Sequence, residues 1–213
     1  MTGDPFQRPL PKLEWRFREF LDELDRCEGY VPGHSVAVCR LALRLARALE
    51  VPEDELPALA LGALMHDVGK VFVDSSLLGK EAALTPAELG IIRLHPELGE
   101  ALLAESIAHP TVLGVVRWHH ERWDGGGYPD GLRGSAIPLP ARIVAAADAF
   151  TAMSEGRAYR RAREAGEAVG EMSRLAGRQF DQACVEALLD GVDRPKPGRK
   201  RALRTLRQGV QAL

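Results

Sequence analysis

The sequence predicts an all-α fold, on three observations. Apolar residues recur at intervals of three and four along most of the chain, helix-opening residues punctuate that pattern, and no alternating apolar and polar run bounded by turn signals supports a strand. An N-terminal helix is expected from about Lys12 to Cys27, where Leu13, Phe17, Phe20, Leu21 and Leu24 share a face that suffices to pack on the domain or to form a homodimer seam. Val38, Leu41, Leu45 and Ala48/Leu49 define an amphipathic helix over 33–50, which stops before Val51-Pro52. The helix after it, from Pro52 to about Asp67, is apolar nearly all round at Leu59, Leu61, Ala63, Leu64 and Met65, which marks it as central and buried. Thr85-Pro86-Ala-Glu88 places a capping residue, a proline at the first helical position and an acid in the first turn, so it opens another helix. Further helices are expected at 96–107, 110–120, 138–153, 164–176 and 181–190, the last capped by Asp181.

At 213 residues the chain can bury a sizeable core. The expected organisation is one domain over 30–193, preceded by the N-terminal helix within 1–29 and followed by a basic tail at 194–213. With 46% hydrophobic and 27% charged residues, the composition excludes wholesale disorder and any fibrous class. The longest apolar stretches, such as Ile143 to Ala147, fall far short of the roughly 18 residues of a membrane span, and the first residues lack the apolar core of a secretory signal. Cys27, Cys39 and Cys184 are odd in number, far apart and without a CxxC pair, so they read as small buried hydrophobes in a reducing cytoplasm.

The net charge of −2 conceals an asymmetry. Seven basic residues and no acidic one lie between Arg194 and Leu213, which leaves 21 basic against 30 acidic residues in Met1 to Asp193, a body at −9 with a tail at +7. Such a tail could bind nucleic acid, an anionic surface or an acidic partner. It is short and has no aromatic residue to stack on a base, so a basic helix lying on its own acidic body is the preferred reading.

The chemistry starts from His and Asp. His34 lies on the stripe of Val38, Leu41 and Leu45 and so points into the core; alone it would be an ordinary hydrogen-bonded histidine. His66-Asp67 ends the most apolar helix, and Asp148 sits in Ile-Val-Ala-Ala-Ala-Asp-Ala-Phe. Burying an ionised carboxylate costs several kcal/mol unless a cation or strong donors compensate. Two carboxylates in apolar helices and the adjacent His119-His120 share one economical explanation, a metal centre. Neighbouring residues on a helix diverge by about 100°, so His-Asp and His-His pairs can serve two adjacent ions. Nitrogen and carboxylate ligands without thiolates suit Fe, Mn, Zn or Ni better than Mg or Ca.

The order His34, His66-Asp67-Val-Gly-Lys70, His95, His119-His120-Glu121, Asp124-Gly-Gly-Gly-Tyr128-Pro129-Asp-Gly-Leu132, Ile137-Pro-Leu-Pro-Ala-Arg142-Ile143 and Asp148-Ala-Phe-Thr-Ala-Met153 closely resembles the HD-GYP family, a subgroup of the HD-domain metal-dependent phosphohydrolases. The match runs from about Tyr30 to Val192, and Phe180-Asp181 fits the family's closing pair. The resemblance implies an HD-domain helical bundle with additional HD-GYP helices, and a phosphodiesterase that hydrolyses cyclic di-GMP to linear pGpG or GMP. It implies His34, His66, Asp67, His95, His119, His120 and Asp148 as metal ligands, with Asp67 bridging two divalent ions, Fe or Mn first and Zn or Ni as alternatives. His109 is left over as a structural loop residue. Two metals about 3.5–4 Å apart would share a water, lower its pKa and aim the resulting hydroxide at phosphorus. Lys70 would stabilise developing negative charge or assist the leaving oxygen. Arg157 and Arg160 match the family's substrate-phosphate contacts, and an arginine fork suits phosphate. The Gly125-Gly126-Gly127-Tyr128-Pro129 loop would wall the site or meet a diguanylate cyclase or another signalling partner.

The chain departs from the family pattern at three places. Tyr30 stands where members with a third metal carry Glu, which favours two metals; Thr151 replaces an Asp, and Ser154-Glu155-Gly156 replaces the common Thr-Ser pair. These changes spare the implied ligands and leave substrate choice open. Two alternatives stand beside cyclic di-GMP hydrolysis: an HD phosphohydrolase acting on another nucleotide or phosphate ester, and a non-catalytic sensor of cyclic di-GMP or docking module. The segment before the domain is too short for a receiver or sensor module, so regulation is expected through metal loading, oligomerisation or a separate partner.

Overall fold

A computed structural model describes residues 33–155 and 165–193. The helix expected at 12–27, Cys27, Tyr30, Arg157, Arg160 and the basic tail lie outside these residues. Nine α-helices are described: α1 (His34–Ala48), α2 (Leu56–Met65), α3 (Ser75–Leu78), α4 (Pro86–Ile92), α5 (His95–Ala104), α6 (Pro110–Trp118), α7 (Leu139–Glu155), α8 (Ala165–Leu175) and α9 (Gln182–Asp193). Two 3-10 segments, Val68–Phe72 and Gly134–Ala136, interrupt them. Among the described residues the only extended pairing is an isolated bridge between Ala176 and Phe180. The all-α expectation holds.

Helix α2 is the axis of the molecule. It packs on α1 on one side and on α6 on the other, which is what an all-round apolar surface requires. The α6 contact is close: a Cβ added at Gly62 would lie 2.8 Å from Val115 Cβ. Two apolar clusters meet along this helix. The larger joins Val38, Ala42 and Leu45 of α1, Leu59 and Ala63 of α2, Ile143 and Val144 of α7, Met172 of α8 and Leu188 of α9. The smaller joins Met65, Val68, Leu103, Val112 and Val116 across α2, the first 3-10 segment, α5 and α6. Cys39 and Cys184 are buried free thiols, and burial pushes them up to about 11 and about 12. No helix among the described residues is long and apolar enough to cross a membrane.

Capping follows the sequence closely. The Thr85 side chain accepts from the Glu88 backbone N–H, Glu88 accepts in return from the Thr85 N–H at 2.8 Å, and Pro86 stands at the first position of α4. Asp181 accepts from the Ala183 N–H at 2.9 Å and pairs with Arg142. Two elements differ from expectation. The apolar helix ends at Met65, and the chain tightens into the 3-10 segment Val68–Phe72 so that Gly69 can lie against α5, where an added Cβ would come within 1.9 Å of the His95 carbonyl oxygen. The short α3 was not anticipated; it buries no residue, so it leaves no apolar periodicity to detect.

Candidate metal centre

Five helices or their ends converge where α2 meets the 3-10 segment. The start of α1 supplies His34, the end of α2 supplies His66 and Asp67, the start of α5 supplies His95, the end of α6 supplies His119 and His120, and the middle of α7 supplies Asp148. Their candidate ligand atoms fall into two groups, each within 4.8 Å of one another: Asp67 with His95, His119 and His120, and His34 with His66 and Asp148. All seven expected ligand residues are thus brought together, and His109 is left exposed ahead of α6. The His66-Asp67 pair divides between the groups as the helical divergence predicted. His119-His120 does not divide; the two rings, with centroids 4.1 Å apart, stay in one group.

The backbone orients the imidazoles. His66 Nδ1 donates to the Ala63 carbonyl at 2.8 Å, His95 Nδ1 to the Ile92 carbonyl at 2.7 Å and His119 Nδ1 to the Val116 carbonyl at 2.9 Å. This fixes the tautomer and turns each Nε2 lone pair inward, the arrangement typical of metal-ligating histidine. Asp67 presents one oxygen to each group: Oδ1 lies 3.3 Å from His95 Nε2, and Oδ2 lies 3.4 Å from His66 Nε2. Asp67 Oδ2 also accepts from Lys70 Nζ at 2.6 Å, one turn further on. In the second group His34 Nε2 meets Asp148 Oδ1 at 2.9 Å.

The charge pattern demands compensation. Burial works against ionising Asp67, but Lys70 and then His66 overcome it and hold the carboxyl well below its usual range. Burial likewise opposes Asp148, and the His34 hydrogen bond prevails. His66 is pushed up, the Asp67 carboxylate outweighing burial. His119 is held low by burial and by His120, and His120 falls to about 3 through burial and His95. Neutral imidazoles and ionised carboxylates are the ligand forms that divalent cations need. Among the described residues, His66 Nε2 and Asp67 Oδ1 are fully buried with no hydrogen-bond partner. Two buried polar atoms without a partner, one in each ligand group, fit a cation, and the donor set suits Fe, Mn, Zn or Ni.

The glycine-rich loop closes one wall. Tyr128 stacks on His120 with ring centres 4.9 Å apart and planes 26° off parallel. Burial, with the Asp67 charge behind it, pushes the Tyr128 phenol up. Sequence reasoning assigned no role to the residues that anchor this loop. Glu121, buried, accepts from the Asp130 N–H at 2.7 Å, while Asp130 accepts from Arg117 Nε and Trp118 Nε1, each at 2.7 Å. Glu121 follows directly on the His pair, the one signal that could have drawn attention to it. Thr151 is buried on α7.

The HD domain family model matches residues 20–184. The chain belongs to the HD domain family. Its His-Asp pair is His66-Asp67, and the HD-GYP resemblance read from the motifs is borne out. A Xanthomonas campestris HD relative named cyclic di-GMP phosphodiesterase response regulator RpfG is 39% identical over 188 residues, 85% of this chain and 50% of that protein. A Vibrio cholerae protein named 3'3'-cGAMP-specific phosphodiesterase 3 is 33% identical over 192 residues, 88% of this chain and 42% of that protein. The chain therefore spans half or less of the length of these curated relatives. A crystal structure of a V. cholerae cyclic GMP-AMP phosphodiesterase, V-cGAP3, superimposes with a TM-score of 0.67 at 21% identity, covering 84% of this chain and 48% of that one, and so supports the HD fold.

Proposed function

We propose that this HD domain is a metal-dependent phosphodiesterase that hydrolyses cyclic di-GMP to linear pGpG, GMP or both. One observation carries the reading: two ligand groups meet at a single buried carboxylate, Asp67, which belongs to one group, lies 3.4 Å from His66 of the other and accepts from Lys70 on that same oxygen. His34, His66 and Asp148 would hold one divalent cation, His95, His119 and His120 the other, and Asp67 would bridge them. When bound, such a pair acidifies water for attack on phosphorus and neutralises phosphate charge. The protein orients the centre through its backbone-fixed histidines and keeps Asp67 ionised. Lys70, partly exposed beside Asp67, presents an ammonium to the developing charge or to the leaving oxygen. Arg157 and Arg160 are proposed to contact the substrate phosphates, and the Tyr128 loop to be the face a signalling partner meets. The buried thiols and the nucleotide substrate suit a reducing cytoplasm.

The names of the relatives favour a second substrate within the same class. Curated relatives carry cyclic di-GMP or 3'3'-cGAMP in their names, and Thr151, where the family pattern has Asp, lies on the ligand helix α7. The deciding experiment incubates Mn- or Fe-loaded protein with each cyclic dinucleotide and resolves the products by chromatography. Linear dinucleotide and mononucleotide peaks from cyclic di-GMP are expected; turnover of 3'3'-cGAMP alone would move the assignment to that substrate. Tight metal-dependent binding without cleavage would make the protein a sensor. Cleavage of bis-nitrophenyl phosphate but of neither cyclic dinucleotide would make it a phosphohydrolase of another ester.

A further inference from the structure

The centre as described accounts for one phosphate, yet a cyclic dinucleotide carries two in one small ring. A second anion therefore has to be met beside the centre, in a body whose net charge repels it. Arg93 is placed to meet it. It caps the end of α4, with its N–H bonded to the Leu89 carbonyl, and stands two residues before the ligand His95. The Ile92 carbonyl, on the peptide that leads into Arg93, accepts from His95 Nδ1, so the backbone that carries Arg93 is tied to the centre itself. Its guanidinium carbon lies 5.2 Å from the centre of the Tyr128 ring, and that ring stacks on His120 at 4.9 Å. The two spacings put the guanidinium within about 10 Å of the His120 ring.

The electrostatics of Arg93 differ from those of its neighbours. Arg117 is neutralised by Asp130 and Glu100, Arg122 by Asp124, Arg142 by Asp181, and Lys70 by Asp67. Arg93 is exposed, and among the described residues no carboxylate pairs with it. A guanidinium held over an aromatic face keeps its donors free at the edges, where they can form a two-point contact with phosphate oxygens.

We propose that Arg93 is a specificity-determining residue that binds the non-reacting phosphate of the cyclic dinucleotide, with Tyr128 as the platform that aims it. This rests on the cyclic dinucleotide reading above. It adds a contact from the α4–α5 corner to the one expected from Arg157 and Arg160, which follow α7 in the sequence.

The test compares wild type, Arg93→Ala and Arg93→Lys on two substrates and by direct binding. Cyclic di-GMP has a second phosphate; bis-nitrophenyl phosphate has none. Loss of a charge-assisted phosphate contact corresponds to about a tenfold weakening or more. Arg93→Ala is expected to raise the KM for cyclic di-GMP about tenfold with kcat little changed, and to weaken calorimetric binding of a hydrolysis-resistant phosphorothioate analogue by the same factor. Arg93→Lys should fall between, and bis-nitrophenyl phosphate hydrolysis should persist in all three proteins. Equal losses on both substrates would overturn the proposal and show that Arg93 only supports Tyr128 and His120. Unchanged binding and KM in both variants would also overturn it. If wild type cleaves the small diester but neither binds nor cleaves the cyclic dinucleotide, the substrate reading itself fails and takes this inference with it.

Discussion

Asp67 combines two requirements that ordinarily conflict, a fully buried site and an ionised carboxylate. Changing it to Asn keeps the shape, removes the charge that stands where the two ligand groups meet and leaves Lys70 without its ion-pair partner. Asp67→Asn is therefore expected to lower metal content, read by elemental analysis, and to reduce phosphodiesterase turnover at least ~100-fold, more than the loss of an outer partner of a metal ligand. His120 supplies a pH prediction for the metal-free protein. It ionises in the folded state only near pH 3, whereas an unfolded histidine does so near pH 6.5. Below pH 6.5 the unfolded chain binds the proton first, so stability falls as the pH drops through that range. His66, raised instead, contributes a constant amount below pH 6.5, and the two carboxylates, held low, change only under about pH 4. Thermal melts of EDTA-treated protein between pH 6.5 and 4.5 should show His120→Asn losing about 1 kcal/mol per pH unit less than wild type.

Among the elements, the 3-10 segment and α5 are the tightest junction, because Gly69 lies directly on the backbone at His95 and Gly99. Gly69→Ala cannot be accommodated by a side-chain adjustment, since the obstructing atoms are backbone. It should cost about 3 kcal/mol or more in urea unfolding and move His95 away from Asp67. By contrast, Thr85→Ala removes one half of the capping box on exposed α4 and should cost about 1 kcal/mol, with Thr85→Ser restoring most of it. The sequence made the long helices legible through their apolar pattern, a single buried stripe in α1 at Val38, Ala42 and Leu45 and an all-round apolar surface in α2. Element ends were less legible. Nothing local in Val68–Phe72 announces a 3-10 turn; it exists because the α5 backbone must approach Gly69. The same distinction applies to the site. Asp67, Asp148 and the adjacent His119-His120 stood out because a carboxylate in an apolar helix needs a partner, whereas His34 and His95 were legible as ligands only through the family resemblance. Glu121 and Arg93 did not stand out, because their roles depend on where a loop from Gly125 to Asp130 folds back.

For the molecule as a whole, the centre ties together α1, α2, α5, α6 and α7, so cation binding and global stability are coupled. A site filled at a hundred times its Kd adds about 2.7 kcal/mol, or roughly 5–10 °C in Tm for a domain of this size. Addition of Mn to EDTA-treated protein should raise the Tm by that amount per occupied site, and Asp67→Asn should abolish most of the shift. The two ligand groups also differ in how much chain must be made before each is complete. Asp67, His95, His119 and His120 all precede the end of the α6 turn, whereas His34 waits for Asp148, 114 residues later. Contacts between distant parts of a chain are the slow and entropically costly ones. A nascent chain that has emerged just past His120 already contains all the residues of its four-residue group, while the three-residue group lacks Asp148 until α7 arrives. Translation thus completes the residues of the four-residue group first and those of the three-residue group only with α7.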